Sequence, residues 1–229
     1  MGSENMSEKY KVPIKEKIMF IGEQILDQFI KIPAFQRYVN RRANNKYGMR
    51  FVKFTTEIDD VFYDYRFFDI RKNDVVLDIG ANVGAFSLFV SKFVKKVVAV
   101  EPFADQLRQN IELNDAKNIT VIDDALGKHG MIQLKWLGQT KTVQSRRLCD
   151  LINMTGGHVD FIKMDCEGGE WNIEAHELTG VRRIEAEIHN LDGDHDPRKF
   201  LAMLDGCGFV YDFEVPRSGI VIVHAWRIW

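Results

Sequence analysis

The sequence predicts an α/β fold, a doubly wound and mostly parallel sheet of about seven strands behind an N-terminal helical extension. Three observations carry this. Residues 75–102, VVLDIGANVGAFSLFVSKFVKKVVAVEP, read as strand, tight turn, helix and strand, the βαβ unit of parallel sheets. Short apolar runs then alternate with helix-period stretches as far as residue 206. Two strand-like runs, 209–215 and 220–226, joined by the turn at Pro216-Arg217-Ser218-Gly219, close the chain as a hairpin.

Within the first unit, Val75 to Ile79 is short enough for a buried strand, and Gly80 breaks it. Phe86, Phe89, Val90 and Phe93 then recur on one helical face, and Val97 to Val100 forms the second strand. Upstream, Ile14, Ile18, Ile21, Ile25 and Phe29 step by three or four, predicting an amphipathic helix that ends before Pro33. Residues 1–50 are thus a helical and basic extension, and 51–229 the main domain. Alternation over 51–70 predicts one or two short strands, with Tyr63, Tyr65 and Arg66 either at a substrate mouth or in packing. Downstream of Glu101, Leu107, Ile111 and Leu113 mark a helix, 119–122 a third strand, 131–137 an extra strand and 146–154 a helix. A fourth strand at 161–164, a helix at 171–178, a fifth strand at 183–188 and a helix at 197–206 complete the order.

Composition narrows the class. With 229 residues, 45% hydrophobic and 28% charged, the chain suits one globular domain with a sizeable core. A formal net charge of −2 singles out neither nucleic acid nor membrane as partner. Cys149, Cys166 and Cys207 are widely spaced and contain no C-x-x-C pair, which fits a reducing cytoplasm better than a disulfide framework or zinc knuckle. No apolar leader or long apolar span is read, and Met6 stands where a myristoylation motif needs Ser or Thr.

The turn after the first strand discriminates between cofactors. A dinucleotide fingerprint needs a bare second glycine so that the backbone can meet a pyrophosphate, but Gly80-Ala81-Asn82-Val83-Gly84 carries Asn82 there. Asp78, at the strand end, is expected beside the ligand; it would repel phosphates and suit a ligand bearing an ammonium and a sulfonium, such as S-adenosylmethionine (SAM). Glu101 ends the second strand about twenty residues after Gly80, where an acid can accept two ribose hydroxyls. The third strand runs into Asp123-Asp124-Ala125-Leu126, either a plain turn or a seat for adenine. The fourth ends in Asp165-Cys166-Glu167-Gly168-Gly169-Glu170, on the sheet edge where ligands of such folds bind.

VVLDIGANVGAFS, VVAVEP, NIELN, DDALG and especially FIKMDCEGGEW resemble the FkbM family of SAM-dependent methyltransferases over roughly residues 70–215. The D-x-E-G-x-E element at Asp165, Glu167 and Glu170 is the most specific part. The resemblance implies a Rossmann-like class I methyltransferase with strand order 3-2-1-4-5-7-6, acting mostly on hydroxyls of sugars or polyketide-like natural products. It also implies that Asp78, Gly80, Asn82 and Gly84 hold the methionine part of SAM, Glu101 the ribose and Asp124 and Ala125 the adenine, with Phe86 and Pro102 as further cofactor-binding candidates. Asp165 would face the amino group or the acceptor.

For an unactivated hydroxyl acceptor a base is useful, and Glu167, Glu187 and His189 are the candidates, His189 foremost because its ordinary pKa lies nearest neutrality. Asp165, His189, Asp192, Asp194 and Asp196 are hard ligands that leave Mg²⁺ open, although DGDHD lacks a recognised loop spacing and no metal is expected. The segment Arg37 to Lys53, basic and interleaved with Tyr38, Tyr47 and Phe51, is either a solvated face or an RNA contact. RNA methylation, and SAM binding without turnover, stand as the competing readings.

Overall fold

The computed structural model describes residues 47–228 except 54, 56, 68, 137 and 191–194. The helix read at 14–29, the basic segment before Tyr47, and Asp192 and Asp194 lie outside the described residues.

Apolar β-branched residues in short runs build the central strands β1 (Val75–Ile79), β2 (Lys96–Val100) and β3 (Ile119–Ile122). β4 (Ala125–Leu126), β5 (Gly130–Trp136) and β6 (Gln139–Arg146) follow, then β7 (Phe161–Met164), β8 (Arg183–His189), β9 (Val210–Arg217) and β10 (Ile220–Trp226). Seven of them form one sheet in the order β3-β2-β1-β7-β8-β10-β9. Numbering only those seven along the chain, this is the implied 3-2-1-4-5-7-6 order. β10 runs antiparallel to β8 and β9, and the other pairs are parallel. The chain reverses direction across the sheet between β1 and β7, so a crevice opens at their carboxyl ends.

Helices α1 (Glu57–Asp64), α2 (Ala85–Val90), α3 (Asp105–Leu113), α4 (Leu148–Thr155) and α5 (Pro197–Gly206) flank the sheet. One face buries a cluster that includes Leu77, Ile79, Val98, Ile162, Ile184 and Leu204. The other packs Tyr65, Val76, Phe86, Val97 and Phe161 together.

Three expectations need correction. Residues 57–64 form the helix α1 rather than a strand, because Ile58 is fully buried while Val61 and Phe62 complete a helical face against Tyr47 and Phe89. Residues 171–178 make no α-helix; two short 3-10 turns, Gly169–Asn172 and Ala175–Leu178, take their place, the second fastened by a capping box between Glu174 and Glu177. β4 and β6 were not foreseen; with β5 they form a second sheet in the order β4-β6-β5 beside the crevice.

β8 is buried throughout yet alternates charge: Arg183, Glu185, Glu187 and His189 share one face. Cross-strand register extends this into a row, Asp78 beside Lys163, Lys163 beside Glu185, Glu185 beside His224 and His224 beside Asp212. Acids and bases alternate along it, which is how a buried face tolerates so many ionisable groups.

Candidate active site

Strand ends and loops enclose a cleft of about 2660 Å³ above the carboxyl edge of the sheet. Ligand pockets usually measure about 300–1,000 Å³, so a cofactor and an acceptor fit together. Gly80, Asn82, Phe86, Glu101, Pro102, Asp124, Ala125, Asp165, Glu167 and Glu187 all line it, while Asp78, Gly84 and His189 do not.

The glycine bend follows from backbone geometry. Gly80, Asn82 and Gly84 have φ of 72, 48 and 88°, in the left-handed region. A Cβ on Gly80 would lie 1.6 Å from the backbone oxygen of Asp165, so glycine is needed for the approach of the β7 end as well as for the turn. Glu101 clamps the bend, accepting from the Asn82 N–H and the Phe103 N–H at 2.8 Å each. Burial pushes its carboxyl up against these backbone donors, which lower it.

Asp78 does not stand where it was expected. It is fully buried beneath the bend, its Oδ2 accepting from Ser87 Oγ at 2.6 Å and its Oδ1 without a hydrogen bond, 3.5 Å from Lys163 Nζ. Lys163, which sequence reasoning missed, lines the cleft instead and donates to the Gly80 carbonyl at 2.7 Å. The available signal was a lysine inside the apolar run Phe161-Ile162-Lys163-Met164.

At the adenine side, Asp124 is ion-paired with Arg146, and Ala125 pairs with Ser145 across β4 and β6. Lys141 donates to the Pro102 carbonyl at 2.6 Å, tying the second sheet to the Glu101 loop. Ile132, Leu134 and Trp136 of β5 give that wall an apolar surface.

The acceptor side is acidic. Glu170 turns inward, accepting from the His189 backbone N–H at 2.6 Å and pairing with its Nδ1 at 3.0 Å. His189 Nε2 faces Glu187, Glu167 and Asp165 at 3.4, 3.5 and 3.7 Å. Burial disfavours the imidazolium, but Glu170 and Glu187 outweigh it and raise the His189 pKa to about 10. His189 is therefore charged at neutral pH, which corrects its reading as the foremost base. Burial likewise pushes Asp165 up to about 6, against the neighbouring Lys163. Burial also opposes the charge of Glu187, yet His189 and Arg217 hold its carboxyl below the ordinary range. Tyr65 is buried over this edge with its hydroxyl 3.5 Å from Asp165; Tyr63 is an exposed cleft residue, and Arg66, which does not line the cleft, pairs with Asp212 and with the cleft-lining Glu214. Asp196, offered as a metal ligand, caps α5 by accepting from the Arg198 N–H. Among the described residues no helix is long and apolar enough to cross a membrane.

These residues fit SAM. Each Glu101 oxygen holds one backbone donor and keeps acceptor capacity toward the cleft, as a ribose diol needs. An acid-lined edge next to it suits a sulfonium.

Comparisons with known proteins agree. Structural neighbours include a precorrin-6y C5,15-methyltransferase from Geobacter metallireducens (TM-score 0.50, 17% identity, 76% of this chain and 89% of that one). An rRNA methylase from Streptococcus thermophilus gives a TM-score of 0.51 at 12% identity over 76% and 95% of the two chains. A Streptococcus mutans protein solved in complex with S-adenosylhomocysteine (SAH) gives 0.51 at 14% identity over 69% and 91%. At these identities the likeness is one of fold. In sequence, 62 residues are 42% identical to a Methanosphaera stadtmanae protein called "Probable ribosomal RNA small subunit methyltransferase A", covering 25% of this chain and 23% of that protein. The chain thus matches under a quarter of that relative's length. The family model for the methyltransferase FkbM domain matches residues 78–211, more than half of the chain. The protein belongs to the FkbM-domain family of SAM-dependent methyltransferases.

Proposed function

We propose that the protein methylates a hydroxyl of a small, sugar-like or natural-product-like acceptor. SAM supplies a methyl group already activated by its sulfonium, so in-line positioning of the acceptor oxygen can provide most of the rate. In this reading Gly80, Asn82, Gly84 and Phe86 shape the methionine end of the cofactor site, with Asp78 holding Ser87 and Lys163 beneath them. Glu101 and Pro102 take the ribose, and Asp124 and Ala125 the adenine edge. Asp165 borders both halves. Glu167 and Glu187 orient the hydroxyl by accepting its hydrogen bond, and the charged His189 holds the carboxylates in place.

The observation that carries this is the charge of the acceptor wall. Asp59, Asp60, Asp64, Asp165, Glu167, Glu187 and Glu214 line the cleft along with Glu101, Asp105 and Asp124, ten acids against the six bases Lys53, Lys128, Lys135, Lys141, Lys163 and Arg217. Such a wall favours a neutral or cationic small acceptor and repels a phosphate backbone. The RNA reading draws on the basic segment up to Lys53 and on the printed names of relatives. Transfer from methyl-labelled SAM into fractionated small-molecule and RNA pools is the test. Label in small molecules whose methyl resists base and gives the carbon-13 shift of a methyl ether supports O-methylation; label confined to RNA overturns it, and SAH binding with no labelled product from any pool points to a binder without turnover.

A further inference from the structure

We propose that Asp64, the last residue of α1, takes up the proton of the acceptor hydroxyl. This role rests on the O-methylation reading and supplies the proton acceptor that such a transfer needs.

Asp60 and Asp64 stand four residues apart, so they share one face of α1, and both line the cleft. On the opposite face Ile58, Val61 and Phe62 pack with Tyr47 and Phe89, which holds the helix against the body of the domain. Tyr65, the next residue, is buried with its hydroxyl 3.5 Å from Asp165. Asp64 is thus fixed from both sides, with a half-buried carboxylate at the acceptor wall.

That carboxylate is uncommitted. It makes no hydrogen bond or ion pair with any described residue. Glu187, Glu167 and Asp165 share the His189 imidazolium at 3.4, 3.5 and 3.7 Å, and Glu214 pairs with Arg66 at 3.2 Å. A carboxylate beside a cation gives up proton affinity. Asp64 has the reverse setting: it ends α1 at the negative pole of the helix, no basic residue stands in the last turn, and Asp60 lies one turn back. Burial, then Asp60 and Glu187, push its carboxyl up to about 7; Asp165 adds to this and Arg217 opposes it. A general base works best with a pKa near the working pH.

The proton balance then closes. The acceptor oxygen bonds to the methyl carbon as the carbon–sulfur bond breaks, and that electron pair leaves on sulfur to give SAH. Glu167 and Glu187 hold the hydroxyl on approach. Although burial opposes its charge, His189 and Arg217 keep the Glu187 carboxyl below the ordinary range, so the proton does not stay there. It settles on Asp64, close enough to Glu187 to feel its charge, and passes from there to water.

Initial rates of transfer from saturating methyl-labelled SAM into the small-molecule pool, followed across the neutral pH range, test this for the parent chain, Asp64→Asn and Asp64→Glu. SAH affinity is measured by calorimetry on the same samples. The parent rate should rise with pH through about 7 and then level off. Asp64→Asn should lose that inflection and about 100-fold or more of the rate while keeping its SAH affinity, and Asp64→Glu should restore part of the rate. Asp165, pushed by burial to about 6, is still present in Asp64→Asn, so an inflection that persists there belongs to another group and overturns the assignment. A rate within about 3-fold of the parent overturns it too, and so does a parallel loss of SAH affinity, which would make the role of Asp64 structural. No labelled small molecule from the parent chain, with SAH still bound, removes the hydroxyl reading and this role together, whereas label from the parent and Asp64→Asn alike removes this role alone.

Discussion

Lys163 Nζ bonds the Gly80 carbonyl at 2.7 Å and stands 3.5 Å from Asp78 Oδ1, so one buried ammonium joins the glycine bend to the strand beneath it. Its register neighbours are Asp78 on β1 and Glu185 on β8, and its charge lies 5.4 Å from the centroid of the Tyr65 ring. Lys163→Met should therefore lose about 3–5 kcal/mol, the usual cost of stranding a buried partner charge. Urea unfolding should show Asp78→Asn combined with Lys163→Met to be less damaging than the sum of the two. Strict additivity would mean that the two residues do not share an interaction.

Glu101 is asked to do two things at once, hold the backbone of Asn82 and Phe103 and accept ribose hydroxyls. Glu101→Gln keeps the shape but replaces one acceptor oxygen by a donor. Hydrogen bonds to charged groups are worth about 1.5–3 kcal/mol, so SAH affinity should fall roughly 10- to 100-fold by calorimetry. Unchanged affinity would remove Glu101 from the cofactor site.

How much of this was legible in the chain follows from which interactions are local. Val75 to Ile79, Gly80 and the helix behind them announce themselves by period and by glycine, whereas the strand order comes from the resemblance to the FkbM family and not from the pattern of the chain. Residues 57–64 misled because EIDDVFYD mixes acids and aromatics without a clean period, and burial of Ile58 in tertiary context decides it. β6, QTKTVQSR, carries almost no apolar signal and exists through its pairing with β5. The charge state of His189 was unreadable for a similar reason. Its carboxylate neighbours come from β8 itself, the end of β7 and the turn after it, and only the fold brings them within 3.7 Å.

Gly80 and Gly168 both have positive φ, 72 and 102°, but differ in surroundings. A Cβ on Gly168 meets nothing within 4 Å, whereas one on Gly80 strikes the Asp165 backbone. Gly168→Ala should cost about 1–2 kcal/mol from backbone strain alone. Gly80→Ala should cost more than about 3 kcal/mol and abolish SAH binding, because the β7 end cannot yield without moving Asp165. Equal thermal shifts for the two variants would refute the close-packing account of the bend.

Asp64, on the acceptor wall, has its carboxyl pushed up from 3.8 to about 7 by burial, then by Asp60 and Glu187, with Arg217 pulling the other way. Between those two values the folded chain keeps a proton that the unfolded chain releases, so Asp64 makes stability fall as pH rises through that window. Below pH 3.8 both states are protonated and the residue contributes no pH dependence; above about 7 the full cost is present. Partial exposure reduces that cost to the order of 1–2 kcal/mol. In metal-free buffer, Asp64→Asn should therefore unfold at a higher temperature than the parent chain at pH 8 and at nearly the same temperature at pH 4. A gain independent of pH, or a loss at pH 8, would show that the wall is not electrostatically strained at this residue.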